Sequence, residues 1–259
     1  MHTLTALDEL KQLPRPIYGQ AEALPNLALS YQHSHRWLQF SYASQGVLDV
    51  HTEGGRYLAP PQRAVWIPAG IEHRVRCTGQ TLIRSLYITP AAMPVQLREC
   101  RVVQVSPLLR ELIQAFSLLP AKYDEHGSEG RLAGVLLDQL ASAPPVASML
   151  PLPIDPRLQT ITNHLQQEPD DTTTLSDWAA QLGVSEKTLS RLFNQQTGLT
   201  FRLWRQRLRL FHALPLLEQH EAVTDVALAC GYESVSAFIS AFNQQFGCTP
   251  GEFFKGSVE

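Results

Sequence analysis

The chain has 259 residues, of which 44% are hydrophobic and 17% are charged, and its formal net charge is −3 at pH 7. These values are ordinary for a globular protein with one large or two medium domains, and no apolar stretch approaches the ~18 residues of a membrane-spanning helix. Residues 1–16 lack the regions of a secretory signal, and the four cysteines show no close-paired metal spacing. We therefore expect a cytoplasmic protein without a membrane partner, and the overall charge alone does not indicate nucleic acid.

The first half of the chain predicts short β-strands separated by turns. Between about residues 27 and 90, apolar and polar residues alternate in runs such as residues 82–88, which is typical of half-buried strands. Residues 38–42 and 47–50 flank a Gln45-Gly46 turn. Closely spaced strands with glycine and proline turns favour a β-sandwich or a barrel.

A histidine pair carries the chemistry of this region. His33 and His35 are two positions apart, so on a strand both imidazoles point to one face and can meet one metal ion. Gln39 follows four residues after His35, and His73 follows a Pro-x-Gly turn. The pattern resembles the two cupin motifs, in which paired histidines, an acid four residues on and a third histidine bind metal. The resemblance places His33, His35 and His73 on those histidines and Gln39 on the usual glutamate.

Two interpretations of this cluster stay open. In one, the three histidines and Gln39 hold a divalent transition metal, Zn, Ni or Fe. In the other, the histidines line a barrel pocket and form hydrogen bonds with neighbours or with an organic ligand. The sequence departs from the cupin pattern twice, because Gln39 is a weaker ligand than a carboxylate and Gln62 stands where the second motif usually opens with glycine.

The period of the apolar residues changes between residues 107 and 143. Two helix faces are predicted there: Leu108, Leu109, Leu112, Ile113 and Phe116 on one, and Leu132, Val135, Leu136 and Leu140 on the other. From the residues alone, both helices cover the barrel. A proline-rich connector follows. We therefore predict an effector-binding domain over residues 1–143, a linker over 144–156 and a second domain over 157–259.

The second half of the chain contains an internal repeat. Residues 175–183 match residues 223–231, since each copy has an apolar residue, a hydroxyl-Asp pair, an alanine four positions on and a glycine eight positions on. The glycines, Gly183 and Gly231, suit the left-handed position that ends a helix before a tight turn. A repeat of this kind predicts two copies of one structural unit.

Helix caps are predicted in both copies. Ser176 and Thr224 are the expected N-caps of the first helix of each copy, and Ser185 and Ser234 those of the second. Apolar residues recur at helical spacing in the second helices: Leu189, Leu192 and Phe193 in one copy, Phe238 and Phe242 in the other. Two helices joined by a short glycine turn form the motif that places its second helix in the DNA major groove.

The tandem arrangement resembles the AraC/XylS family of bacterial transcription regulators over residues 157–254. Residues 231–234 and 249–254 look like part of that family's signature region. The resemblance implies promoter DNA as a partner, a cupin-like sensor for a small molecule or metal, and a homodimer formed by the helices of residues 107–143. Within the family, residues 63–68 and 84–88 resemble a subgroup that often controls an adjacent efflux-transporter gene.

A basic helical segment joins the two copies. Its cations between residues 186 and 209 are Lys187, Arg191, Arg202, Arg205, Arg207 and Arg209. Such local charge attracts phosphate more effectively than the total charge of the chain. Residues 201–217 are predicted to hold two recognition helices about one DNA turn (~34 Å) apart. Pro215 predicts that this linking helix bends or ends near it.

The DNA-facing residues follow by subtracting the core face of each second helix. On the first they are Lys187, Thr188, Ser190, Arg191, Asn194 and Gln195, and the family resemblance directs Lys187, Ser190, Arg191 and Asn194 toward DNA. Arg191 is predicted to read a guanine edge, because its fork matches the two acceptors there; the alternative is a backbone contact alone. On the second helix, Ser236 and Ser240 are short, which permits thymine-methyl contacts but no strong bidentate readout.

Together these patterns predict a two-domain α+β protein: an N-terminal cupin-like β-barrel with two helices, and a C-terminal all-α domain with two helix-turn-helix motifs. The predicted function is a one-component, non-enzymatic transcriptional regulator. The alternative is a metal-dependent cupin enzyme, a dioxygenase or isomerase, fused to a DNA-binding domain. Against it, Gln39 replaces the carboxylate and no further acid-base group stands out in the sequence.

Overall fold

The computed structural model of the protein describes residues 12–24, 31–77, 81–93, 97–146 and 148–253. The chain divides into two compact units, Met1–Thr52 with Tyr57–Ser148 and Glu53–Arg56 with Met149–Glu259. We call them the N-terminal and the C-terminal unit. The domain boundaries drawn from the sequence stay a prediction, and the connector drawn there contains short strands.

The first half of the chain is built from strands. They are β1 (Ile17–Leu24), β2 (Leu38–Gln45), β3 (Leu48–Thr52), β4 (Gly55–Ala59), β5 (Arg63–Ile67), β6 (His73–Cys77), β7 (Thr81–Ile88), β8 (Arg101–Gln104) and β9 (Pro145–Val146), with a 3-10 turn at Pro90–Ala92. One sheet has the order β1-β7-β2-β5-β8-β9, and β4, β3 and β6 are neighbours in a second sheet. Strand β2 pairs antiparallel with both β5 and β7, so it lies inside the first sheet.

The core of the N-terminal unit is formed by the first sheet and two helices, α1 (Pro107–Ser117) and α2 (Ser128–Ser142). On the strands, the buried rings of Phe40 and Trp66 meet edge to face with centroids 5.0 Å apart. The helices add buried apolar side chains to this core: Leu109, Ile113, Phe116, Leu136 and Leu140. The change of period in the sequence therefore marks two amphipathic helices.

Two residues assigned to these helix faces do not lie in the core. Leu108 is 55% exposed and Val135 is 47% exposed. Each directly precedes a buried residue, and neighbouring positions on an α-helix are turned by about 100° from one another. Leu108 and Val135 therefore lie outside the buried part of the predicted helix faces, as apolar side chains on the surface.

Gln62 adopts a backbone conformation that glycine favours. Its φ is 70°, and it stands where the cupin pattern usually opens its second motif with glycine. The turn is held by the amide of Val105, which donates to the Gln62 carbonyl at 2.8 Å. The chain thus keeps the left-handed geometry without the glycine, at a cost of about 1–2 kcal/mol.

Helices make up most of the C-terminal unit. This unit includes the segment Glu53–Arg56, and its main stretch begins at the short strand β10 (Met149–Pro151). They are α3 (Pro156–Gln167), α4 (Leu175–Gln181), α5 (Glu186–Thr197), α6 (Phe201–Glu218), α7 (Val223–Ala229), α8 (Val235–Phe246) and α9 (Pro250–Phe253). Helices α4 and α5 form one helix-turn-helix and α7 and α8 form the other. Helix α6 joins them.

The two turns have the same hydrogen bond. The amide of Val184 donates to the carbonyl of Ala179, and the amide of Tyr232 donates to that of Ala227, both at 3.0 Å. Both alanines are buried, as expected where two helices cross closely. The repeat in the sequence is therefore a repeat in structure.

The second helix of each copy begins at the predicted cap. The Ser185 hydroxyl accepts from the Thr188 amide, and the Ser234 hydroxyl accepts from the Ala237 amide, each at 3.2 Å. Equivalent apolar side chains are fully buried in the two copies: Leu189 and Phe193, Phe238 and Phe242. The caps and these four core positions are thus confirmed, whereas Leu192, predicted beside them, is half-buried.

The first helix of each copy begins earlier than predicted. Thr174 caps α4 in a capping box with Asp177, since the Thr174 hydroxyl accepts from the Asp177 amide and the Asp177 carboxylate accepts from the Thr174 amide. The N-cap of α7 is Ala222, which makes no side-chain cap. Ser176 and Thr224 lie inside the first turn of their helices, so the prediction that they are N-caps is wrong.

Aromatic packing stabilises the junction of α5 and α6. Phe193 meets Phe201 and Trp204 edge to face, with centroids 5.5 and 5.7 Å apart. The indole nitrogen of Trp204 donates to the Pro151 carbonyl at 2.7 Å, so its one polar atom is satisfied although the side chain is fully buried. These contacts join β10, the first helix-turn-helix and the linking helix.

Helix α6 continues through Pro215 to Glu218. The proline removes one amide donor in the last turn of the helix, while its own carbonyl accepts from Gln219 at 3.2 Å. Leu214 and Leu217 on either side are buried, and their packing offsets the loss of one hydrogen bond. The helix therefore ends not at Pro215 but three residues later, and the alternative that it bends near the proline stays a prediction.

The predicted α+β organisation is confirmed: a β-rich N-terminal unit with two helices and a helical C-terminal unit with two helix-turn-helix motifs. None of the helices in the described part of the chain is both long and apolar enough to span a membrane. Phe254, the last residue of the predicted signature region, lies outside the described residues.

Candidate nucleic-acid interface and histidine cluster

The first helix-turn-helix presents a polar face on α5. Gly183, with φ of 66°, ends the preceding turn, and α5 then exposes side chains at helical spacing: Lys187, Ser190, Arg191 and Asn194. Thr188, predicted beside them, is half-buried, and its hydroxyl lies 2.9 Å from that of Ser185. The exposed set can reach a duplex, whereas Thr188 contributes to the helix N-terminus.

Arg191 lies at the centre of this face. Its side chain is exposed, and one guanidinium nitrogen donates to the side-chain oxygen of Gln195 at 3.5 Å. That long contact leaves most of its donors available, and a guanidinium carries five N–H groups in a planar fork. The residue can therefore form the bidentate contact that guanine accepts.

The second helix-turn-helix presents a weaker set of donors. Ser236 and Ser240 are exposed on α8 as predicted. Asn243 and Gln244, which were not predicted from the sequence, are also exposed further along the same helix. Their amides can read adenine in a bidentate manner, but they lie in its C-terminal half, and recognition helices reach base edges mainly with their N-terminal residues.

The predicted basic patch is smaller in the structure than in the sequence. Arg205 donates to the Thr173 carbonyl at 2.9 Å and Arg207 to the Met149 carbonyl at 3.0 Å. Arg209 is also bound to backbone carbonyls. Exposed cations of the patch are Lys187, Arg191 and Arg202. Arg205, Arg207 and Arg209 thus hold the fold together, and the attraction of all six cations for phosphate stays a prediction.

The structure brings the three predicted histidines of the N-terminal unit together. His33 and His73 form an antiparallel bridge, with backbone hydrogen bonds of 3.0 and 2.9 Å in the two directions. The amide of Gly70 donates to the His35 carbonyl at 2.8 Å, which docks the Pro-x-Gly turn beside the pair. Each of the three rings offers a nitrogen, and these atoms all lie within 4.8 Å of one another.

Backbone carbonyls orient the imidazoles. The Nδ1 atoms of His35 and His73 lie 2.9 Å from the carbonyls of Trp37 and Ile71, and Nδ1 of His33 lies 3.4 Å from that of Tyr31. A carbonyl only accepts, so Nδ1 of His35 and of His73 carries the proton and Nε2 of each keeps its lone pair. Carbonyl bonds of this kind fix the tautomer of histidines that bind metal through Nε2.

Gln39 lies beside the histidines and adds an amide oxygen to the atoms that could bind a cation. Its Oε1 lies 2.7 Å from Nε2 of His35 and 3.2 Å from Nε2 of His73. An oxygen acceptor facing two lone pairs is unfavourable, so either the amide turns its NH₂ toward the rings or a cation lies among these atoms. The donor set of imidazoles and an amide oxygen suits a divalent transition metal.

Burial keeps two of the three imidazoles, those of His35 and His73, neutral. Desolvation lowers the pKa of His73 to about 4 and also lowers the pKa of His35, and the nearby His33 adds to both effects. Neutral imidazole is the form that binds metal. At pH 7, His35 and His73 are therefore ready to act as ligands or as hydrogen-bond acceptors for an organic molecule.

Comparisons with known proteins match both halves of the chain. A helix-turn-helix domain model matches residues 178–256, and a model of the AraC-like ligand binding domain matches residues 16–140. The chain is 35% identical over 221 residues to the HTH-type transcriptional regulator NimR of Escherichia coli, covering 85% of this chain and 81% of that protein. It is 33% identical over 108 residues to the regulator RipA of Corynebacterium glutamicum, covering 42% and 33% of the two chains.

Among solved structures, an AraC-type transcriptional regulator from Chromobacterium violaceum is 30% identical, with a TM-score of 0.37, covering 40% of this chain and 94% of that one.

Proposed function

Because this chain belongs to the AraC family of helix-turn-helix transcriptional regulators, we propose that one chain reads two successive major-groove segments of promoter DNA. The observation that carries the proposal is the structural repeat, in which α5 and α8 follow equivalent turns and both expose a polar face. Recognition helices on one chain can engage adjacent grooves when they lie about one DNA turn (~34 Å) apart. Promoter DNA lies in the cytoplasm of a bacterium, where we place the protein.

The two helices are proposed to contribute unequally. Arg191 supplies the strongest base contact and Lys187, Ser190 and Asn194 support it, whereas Ser236 and Ser240 supply weaker contacts from the second helix. The asymmetry follows from the chemistry of the side chains, because a guanidinium offers two parallel N–H donors and a serine offers one hydroxyl.

Arg191→Ala is expected to weaken binding by about 1–3 kcal/mol and to relax sequence preference at one position. Ser240→Ala is expected to cost less than about 1 kcal/mol, since a single neutral hydrogen bond is lost. Both variants are titrated, at one salt concentration, against a duplex that the wild-type protein has selected from genomic DNA. Equal losses for the two variants contradict the proposed ranking.

For the N-terminal unit we propose a sensor role in which His33, His35, His73 and Gln39 bind a divalent transition metal, Zn, Ni or Fe. The three histidines each offer a ring nitrogen within 4.8 Å of the others, beside the Gln39 amide oxygen, and this donor set supports a cation at this place. A bound metal would supply a fixed link between the two backbone segments of the cluster. Occupancy of the sensor would then bias the arrangement of the C-terminal unit on DNA.

The protein is further proposed to act as a homodimer through α1 and α2. The exposed apolar side chains Leu108 and Val135 support this surface, since each presents area that a partner chain can cover. The double variant Leu108→Glu/Val135→Glu is expected to shift a micromolar sample from dimer to monomer in sedimentation, because two charges cannot be buried there unpaired. Ile154→Glu, at an exposed apolar residue of the C-terminal unit, is the control. A wild-type sample that sediments only as monomer contradicts the proposal.

The regulated gene is proposed to be an adjacent efflux-transporter gene. Support comes from the subgroup resemblance of residues 63–68 and 84–88. In the structure, these segments overlap β5 and β7, and Val65, Trp66 and Ile67 are fully buried. The resemblance is therefore carried by core strands, and the proposal is tested by measuring transcripts of the neighbouring genes in a deletion strain.

A further inference from the structure

Arg209, on the linking helix α6, is bound entirely to backbone carbonyls. Its Nε donates to Pro169 at 2.8 Å, and Nη1 donates to Gly231 at 2.8 Å. Its Nη2 donates to Asp170 at 3.2 Å and to Asp171 at 2.9 Å. These bonds occupy four of the five N–H groups of the guanidinium.

The carbonyls come from two parts of the C-terminal unit: the segment before the first helix-turn-helix and the turn of the second. Residues 169–171 lead from α3 toward α4, the first helix of the first helix-turn-helix. Gly231 forms the turn between α7 and α8 in the second. One side chain therefore connects the entry of the first motif with the turn of the second. We call this set, Arg209 with Pro169, Asp170, Asp171 and Gly231, the carbonyl clamp.

The carbonyl clamp leaves no room for a side chain at the second glycine turn. A Cβ atom at Gly231 would lie 2.7 Å from the Cα of Asp170 and 2.8 Å from Nη2 of Arg209. At Gly183, the equivalent residue of the first turn, a Cβ would meet nothing within 4 Å. Both glycines have positive φ, but only Gly231 is also needed for close approach. The two copies of the repeat thus differ at the point where Arg209 joins them.

Lysine cannot replace this arginine in the clamp. A guanidinium holds its donors in a rigid plane and reaches several acceptors at once, whereas an ammonium is a point charge with three donors on a flexible stem. The carbonyls released by a lysine would need water or would shift toward the shorter reach of the ammonium. Either change frees the turn at Gly231 from the segment at residues 169–171.

We propose that Arg209 is a positioning residue that fixes the spacing of the two recognition helices, and thereby the spacing of base pairs that the protein accepts. The inference rests on the proposed reading of two groove segments by one chain. It adds that α6 alone does not set their register: the carbonyl clamp prevents the second motif from moving relative to the first. Loss of the clamp is then expected to reduce the dependence of binding on the distance between the two DNA segments more than it reduces the affinity for either segment alone.

The test uses full-length protein and duplexes selected by the wild-type chain, in three forms: intact, with the segment contacted by α8 scrambled, and with one base pair inserted between the segments. For wild type, scrambling or insertion is expected to weaken binding roughly tenfold or more, as for disrupted base contacts in specific sites. For Arg209→Lys, scrambling and insertion are each expected to weaken binding less than about threefold. The reason is that the variant is expected to bind the intact duplex only about as tightly as a duplex with a single segment. Arg157→Lys, a conservative change at an ion pair with Asp155, is expected to behave as wild type.

The outcomes separate the inference from the function on which it rests. If the wild-type chain binds the intact duplex no more tightly than the duplex with the scrambled segment, the two-segment function itself is contradicted. If the wild-type chain binds the intact duplex more tightly, and Arg209→Lys shows the same difference and the same loss of affinity on insertion, the positioning role is contradicted.

If Arg209→Lys fails to fold, Gly231→Ala is used to disrupt the carbonyl clamp at the glycine turn. Gly183→Ala is the matched control. Loss of spacing dependence in Gly231→Ala but not in Gly183→Ala supports the clamp, and equal behaviour of the two glycine variants overturns it.

Discussion

Phe193→Ala is expected to lower the free energy of unfolding of the C-terminal unit by about 3–5 kcal/mol. The side chain is fully buried, and its ring packs edge to face on Phe201 and Trp204. Truncation therefore leaves a cavity at the junction where α5, which carries Arg191, meets the linking helix. Loss of this support is also expected to reduce DNA binding, because α5 is no longer held against α6.

The measurement is amide hydrogen exchange of residues 157–253 in increasing urea, read by mass spectrometry on the full chain. Leu228→Ala is the control, since that leucine is 65% exposed and surface substitutions usually change stability by less than about 0.5 kcal/mol. Similar losses in both variants would show that the packing around Phe193 does not stabilise the unit.

Removal of two of the three histidines is expected to abolish metal binding by the N-terminal unit. In a His33→Ala/His35→Ala variant only His73 and Gln39 remain, and two ligands cannot replace a set whose lone pairs converge from three rings. The wild-type protein is expected to hold close to one Zn, Ni or Fe per chain after dialysis, and the double variant close to none. Elemental analysis of the purified proteins measures both.

A matched control is His126→Ala, at an exposed histidine of the same unit. It is expected to keep the full metal content. A wild-type protein without stoichiometric metal, or undiminished metal in the double variant, would reject the metal site. The cluster would then serve as a pocket for an organic effector, with Nε2 of His35 and His73 as acceptors.

The sequence was most informative where one residue type has one physical use. The glycine turns at Gly183 and Gly231 and the serine caps at Ser185 and Ser234 follow from local backbone chemistry, and the structure has them as predicted. These features depend on near neighbours in the chain.

The meeting of His33 and His35 with His73 was instead expected from the cupin resemblance. The strand predicted to carry the histidine pair is not present, because His33 lies in an isolated bridge and His35 lies outside the named strands.

The sequence was less informative about helix ends, for two different reasons. Thr174 caps α4 instead of Ser176 because Asp177, three residues on, completes a capping box, and this local pair was not predicted. Pro215 is tolerated inside α6 because Leu214 and Leu217 are buried. Only the second outcome depends on tertiary packing, which periodicity alone does not reveal.

The arginines of the linking helix show the same limit in a functional setting. A run of cations reads as a phosphate-binding face, yet Arg205, Arg207 and Arg209 bind carbonyls that lie far away in sequence. No local pattern distinguishes an arginine that faces solvent from one that satisfies backbone acceptors. The distinction matters, because it assigns Arg191 and Arg209 different roles in binding DNA.

The account depends most on one chain presenting two helices to adjacent grooves of a single duplex. Hydroxyl-radical footprinting of the wild-type protein, on a fragment that it selects from genomic DNA, tests this directly. The expected result is two protected stretches on one face of the duplex, about 10 base pairs apart, with the stretch next to α5 weakened in Arg191→Ala. A single protected stretch, or no preference for any fragment over bulk DNA, would contradict the account.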